Sequence, residues 1–234
     1  QALVTNFTGQ WLSVRALRTM EPEVNLFPDF DDNLRYAFQR EIELFFDSIV
    51  HEDRSVLDLL DADYTFVNER LAKHYGIPNI YGPQFRRVTL GPELDVRRGL
   101  IGKGALLTVT SHPARTSPVA RGKWFQQTFL GVAPPDPPPG VEGIEEKPPD
   151  NAGNLKKPSM RQTLEAHRVN PVCASCHKIF EPVGIALENF DAGGAWRTED
   201  EGSPIDPSGV LADGTPLEGV TSLRESMVRY SDQF

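Results

Sequence analysis

The pentapeptide Cys173-Ala174-Ser175-Cys176-His177 constrains this chain more than any other stretch. It holds both cysteines of the 234 residues, and a histidine follows the second at once. Cys-x-x-Cys-His is the pattern through which a c-type haem is attached. The order is a chemical requirement. Two thiols add across the two vinyl groups as thioethers, and the adjacent imidazole then lies beneath the iron as its proximal ligand. Other uses of the two thiols compete with this one. A thioredoxin-like redox pair sits at a strand-to-helix turn, whereas the approach to Cys173 reads as helix. A zinc site needs two further Cys or His ligands, and with no second Cys pair and no His-x₃₋₅-His pair, a distant histidine must complete it. A disulfide across so short a spacing is strained. One covalent haem c is the leading reading, with zinc and redox use as alternatives.

Composition narrows the function classes. A formal charge of −9 and a pI near 5.1 disfavour a nucleic-acid binder, which shows a basic stripe, and suit a basic redox partner. Hydrophobic residues make up 39%, enough for a core, while 20 prolines and 19 glycines imply many turns and an irregular linker. No run approaches a transmembrane helix, so no membrane insertion is expected from this segment, and no stretch reads as a signal peptide. Haem is attached outside the bacterial cytoplasm, so the haem reading places the chain in the periplasm or another extracytoplasmic space. The chain reads as a mature product or as an excised part of something larger.

Periodicity and caps predict a mainly α fold: a helical bundle-like domain over 1–131, a proline-rich linker or strap over 132–158, and a cytochrome c-like haem-binding region over 159–234 with a small β-hairpin, packed against the first. A helix is expected from Asn6 to Leu17. Asp31 and Asp32 cap a strong one with Leu34, Phe38, Ile42, Phe45 and Ile49 as its apolar stripe and Arg35, Arg40, Glu41 and Glu43 set mostly off it. Further helices are expected over Val56–Leu60, Thr65–Tyr75 and Arg98–Val109, with a strand around Phe85–Leu90. His51 and His74 read as surface or capping histidines. Ser117 and Pro118 open a helix that Gly131 closes. Ser159-x-x-Gln162 is a capping box, and Asn170-Pro171 starts the helix that carries the two cysteines, broken at Glu181-Pro182-Val183-Gly184. A hairpin of Gly209–Leu211 with Thr215–Leu217, turn aspartates at Asp206 and Asp213, and a last helix from Ser222 complete the expectation.

Three long segments carry a resemblance. They are Leu60-Asp61-Ala62-Asp63-Tyr64 through Tyr75-Gly76-Ile77-Pro78, Arg97-Arg98-Gly99-Leu100 through Lys123-Trp124 with the proline run behind it, and His167-Arg168-Val169-Asn170-Pro171 through Asn189-Phe190-Asp191 to Trp196-Arg197. The sequence resembles the large exported multidomain c-type cytochromes of planctomycetes and related bacteria, whose C-terminal domains are of unknown function. The resemblance implies a C-terminal portion preceded by other modules, often another cytochrome-like domain or a carbohydrate-binding one. Such sequences often place Met three residues after the haem histidine. This chain has Phe180 there, which is expected to pack against haem or core. The last helix also stops early compared with that family.

The sixth iron position decides haem chemistry. His112 stands in a polar loop beside Arg115 and Arg121, which suit haem propionates. His167, Met160 and Met227 are the other distal candidates. An electron-transfer module is the first functional expectation, served by a redox partner protein or by companion domains of the same polypeptide. A haem enzyme using peroxide through His112 and Arg115, or an oxidoreductase subunit, is the alternative, and a structural metal-binding scaffold is the third reading.

Overall fold

A computed structural model describes residues 3–133, 158–169 and 171–233, with the backbone alone at Pro171, Val172, Cys173 and Gln233. The expected proline-rich spacer and the Asn170 cap lie outside the described residues. Two units emerge, one of Gln1–Thr116, Phe190–Trp196 and Val220–Phe234, the other of Ser117–Asn189 and Arg197–Gly219.

The first unit opens with a π-helical turn, Val4–Thr8, that runs into α1 (Gly9–Trp11) and a 3₁₀ segment, Val14–Thr19. The single helix expected over 6–17 is interrupted at Ser13, which takes a left-handed φ of 58°. Then comes α2 (Asp32–His51), the longest helix described. The Asp31 carboxylate accepts from Leu34 N–H, and the whole predicted stripe is buried. Glu41 and Glu43 depart from the expected polar face, since both are buried. Glu43 is met by Gln39 and Arg40, and Glu41 faces a group of core donors.

A short α3 (Asp58–Asp61) follows. The helix expected from Thr65 is corrected next. Tyr64–Val67 forms β1, and the helix begins only at α4 (Glu69–Tyr75), where the Asn68 side chain accepts from Leu71 N–H. Tyr-Thr-Phe-Val is aromatic and β-branched, a composition that fits a pleated surface. It pairs antiparallel with β2 (Arg86–Thr89), Tyr64 opposite Thr89, as the expected strand around 85–90 allows. The helix expected over 98–109 contracts to α5 (Gly104–Val109), and a 3₁₀ segment, Pro92–Arg97, precedes it. The glycines at 99 and 102 end any continuous helix there.

The second unit is built on α6 (Pro118–Phe129), α7 (Met160–His167) and α8 (Pro171–Ile185). Residues 118–129 were expected with the N-terminal helices. Ser117 caps α6, and the Ser159/Gln162 capping box starts α7, both as the sequence predicts. The predicted break at 181–184 does not occur, because α8 runs through Pro182 to Ile185. The carbonyl that Pro182 leaves without its helical donor belongs to Lys178, an exposed residue.

Two glycines explain how α6 and α8 approach. A Cβ on Gly122 would overlap Phe180 O, and a Cβ on Gly184 would overlap Pro118 O. Pro118 and Gly122 are one turn apart on α6, as are Phe180 and Gly184 on α8. Each glycine thus admits the other helix's backbone, in an antiparallel crossing.

Two small ribbons complete this unit: β3 (Glu199–Asp200) with β4 (Ser203–Pro204), and β5 (Ser208–Val210) with β6 (Pro216–Glu218). The second is the predicted hairpin, offset by one residue, and Asp206 and Asp213 accept from Ser208 and Thr215 N–H as turn aspartates do. The chain ends in the first unit with α9 (Val220–Arg229), which starts before Ser222 and so keeps that serine inside the helix rather than as its cap.

Candidate haem-binding site

The helix α8 fixes the spacing of the motif. Cys173, Cys176 and His177 stand at i, i+3 and i+4, which places them on one helix face. The Cys173 side chain lies outside the described residues. Cys176 is a half-buried thiol outside any disulfide, with Ser175 Oγ 3.8 Å from its sulfur.

His177 is 14% exposed, and its Nδ1 lies 2.9 Å from Glu181 Oε2 one turn further along α8. Glu181 is 2% exposed. Its other oxygen lies 3.2 Å from Nε of Arg168, the residue that ends α7. The Arg168 N–H is not aligned on that oxygen, so the contact is an ion pair without a directed hydrogen bond. The ring of Phe180 packs 5.3 Å from the His177 ring, and the ring of His167 lies 5.0 Å away, tilted by 54°. Phe180 is buried, and Lys123 Nζ from α6 sits 5.4 Å from its ring centroid.

A carboxylate only accepts, so the imidazole donates Nδ1–H to Glu181, and Nε2 is the ring nitrogen that this contact does not engage. Metal-bound histidines are commonly held this way, by a carboxylate on the nitrogen that does not ligate. The residues present therefore fit a haem attached through the pentapeptide.

The other predicted site residues fall in separate places. Met160 opens α7 in the same unit, and its N–H donates to Asp200 at 2.8 Å. Arg121 is 1% exposed, donates to Leu187 O at 2.8 Å and lies 3.4 Å from the Glu188 carboxylate. Arg197 holds that same carboxylate at 3.0 Å. His112, Arg115 and Met227 belong to the first unit. His112 is exposed in a tight turn in which its N–H donates to Arg115 O at 2.9 Å. Met227 is 9% exposed on α9.

Glu181 and Arg168 were not legible as site residues, because Glu181-Pro182 read as a helix break. Its signal was the interval of four from His177, which matters only if the helix continues. Among the described residues, no group of three or more His, Cys, Asp or Glu side chains is placed to hold a metal ion. Nor is any described helix long and apolar enough to cross a membrane.

Residues 97–200 match the family model PSCyt3, a protein of unknown function (DUF1588), and residues 1–77 match PSD4, a protein of unknown function (DUF1592). Both domains are found in planctomycete-type multihaem cytochrome c proteins. The Cys173–His177 stretch lies inside the PSCyt3 match. No curated protein and no solved structure matches this chain.

Proposed function

We propose that this chain is a c-type cytochrome module that carries one covalent haem on Cys173, Cys176 and His177 and transfers electrons within a larger extracytoplasmic protein. The observation that carries the reading is the anchored imidazole: within a Cys-x-x-Cys-His helix, His177 gives Nδ1–H to a buried carboxylate, which leaves Nε2 as the nitrogen that could ligate a metal. The matched domains, found in cytochrome c proteins, also support it.

When bound, the haem supplies a one-electron iron couple. The chain's residues have separate tasks. Cys173 and Cys176 tether, His177 ligates, Glu181 fixes the ring and its tautomer, and Phe180 walls the imidazole from one side. The formal charge of −9 favours a basic redox partner or a basic companion domain.

The protein exported through a c-type maturation system tests the electron-transfer role. A low-spin spectrum in both redox states, unchanged by carbon monoxide, with no peroxide turnover, is expected. A high-spin ferric spectrum with peroxide turnover that disappears in His112→Ala would instead make the chain a haem enzyme.

A further inference from the structure

We infer that Glu181, steadied by Arg168, holds the reduction potential of the haem down by loading negative charge onto the proximal imidazole. This rests on the proposed haem site and adds to it a residue that tunes the electron-transfer step. Glu181 is 2% exposed, its Oε2 is 2.9 Å from His177 Nδ1 and its Oε1 is 3.2 Å from Arg168 Nε, so a carboxylate paired with a guanidinium accepts from the ring in a poorly screened setting. A hydrogen bond to an anion draws the Nδ1 proton further than one to a neutral carbonyl does. The imidazole then donates more strongly through Nε2, which stabilises ferric over ferrous iron. Second-shell hydrogen bonding of this kind is a recognised control on haem potential.

Arg168 opposes part of that charge. Its Nε is buried 3.2 Å from Glu181 Oε1, while the side chain as a whole is 36% exposed, so solvent reaches the delocalised guanidinium charge more than the carboxylate. Lys123 is another cation of this unit, its Nζ 5.4 Å from the Phe180 ring centroid, and Lys178, which follows His177, is exposed to solvent. The net electrostatic character at His177 Nδ1 is thus anionic, moderated by Arg168. The two residues should act on the potential with opposite signs. A merely structural role for both would give no such opposition.

Midpoint potentials of the haem-loaded full chain test this, after a haem stain has established that each protein carries covalent haem. Glu181→Gln keeps the size and an acceptor oxygen but removes the charge. It is expected to change the ferric-to-ferrous ratio at fixed ambient potential by about tenfold toward ferrous, a positive shift of about 59 mV for one electron. Arg168→Gln is expected to shift the potential the other way, by less, and this shift should shrink in the double variant because Arg168 acts through Glu181. An unchanged or more negative potential in haem-loaded Glu181→Gln overturns the inference while leaving the haem site intact. If Glu181→Gln fails to fold or load haem, Arg168→Gln decides, since a zero or positive shift there overturns the inference equally. A wild-type chain without covalent haem removes the proposed function itself.

Discussion

Glu41 is the residue at which local reading and observed structure part most sharply. It is fully buried and accepts from Thr65 Oγ1 at 2.5 Å and Tyr75 OH at 2.6 Å, with Lys103 Nζ at 3.7 Å. Lys103 is also fully buried, and burial pushes its ammonium down to about 8 despite the attraction of Glu41. Glu41 lies seven residues beyond Leu34, so helical period already put it near the apolar face, and only its charge argued against burial. Lys103 is the one cation between Leu100 and Leu107, and that isolation was its signal. Glu41→Ala leaves a buried ammonium unpaired and should cost about 3–5 kcal/mol in chemical denaturation. His74 gives a second prediction. Burial, followed by the charge of Arg97, lowers its pKa to about 4 from 6.5, while its Nε2 keeps a contact to Gly193 O at 3.0 Å. Between those values the unfolded chain binds a proton that the folded one does not. Stability therefore rises with pH across this window and falls on acidification, by up to about 3 kcal/mol. Urea titrations near pH 7 and near pH 4.5 should show a loss in the wild type that is much reduced in His74→Gln.

At the scale of elements, the sequence was most informative where a cap and a period agreed. Asp31 with its stripe, Ser117-Pro118 and the Ser159/Gln162 box each mark a helix start that the structure keeps. It was least informative where two signals conflicted. Over 64–75 the apolar spacing of Phe66, Leu71 and Tyr75 suggests one helix, whereas the N-cap at Asn68 divides strand from helix. Proline at 182 reads as a stop, yet the residue that loses its helical bond, Lys178, is exposed and the helix continues. The crossing of α6 and α8 was invisible locally, because Gly122 and Gly184 acquire meaning only against each other's helix. Gly122→Ala should force the helices apart at Phe180 and destabilise the second unit by about 1–3 kcal/mol, read by thermal or chemical denaturation. Because Phe180 also borders His177, the proposed haem site predicts that the same variant broadens or shifts the absorption spectrum of a haem-loaded chain.

At the scale of the whole molecule, the two units do not follow the proline-rich stretch. The chain passes from one to the other at Thr116–Ser117, and residues 190–196 and 220–234 belong with the N-terminal part. Contacts distant in sequence make that assignment: Arg97 donates to Gly194 O at 2.9 Å, and Arg224 reaches Asp95 and Asp61, each at 2.8 Å. No local pattern announces such pairs, since each joins groups more than ninety residues apart in the first case and more than a hundred in the second. The functional stretch behaves differently. Cys176 and His177 are proposed from spacing alone, because attachment chemistry would dictate their order, whereas the Glu181–Arg168 contact depends on how α7 meets α8.

The central claim is that Cys173, Cys176 and His177 carry a covalent haem. The mass of the denatured, full-length protein after export through a c-type maturation system tests it most directly. The account predicts a mass increased by one haem, lost in the Cys173→Ala/Cys176→Ala double variant. A wild-type chain of unmodified mass with two titratable thiols would contradict it.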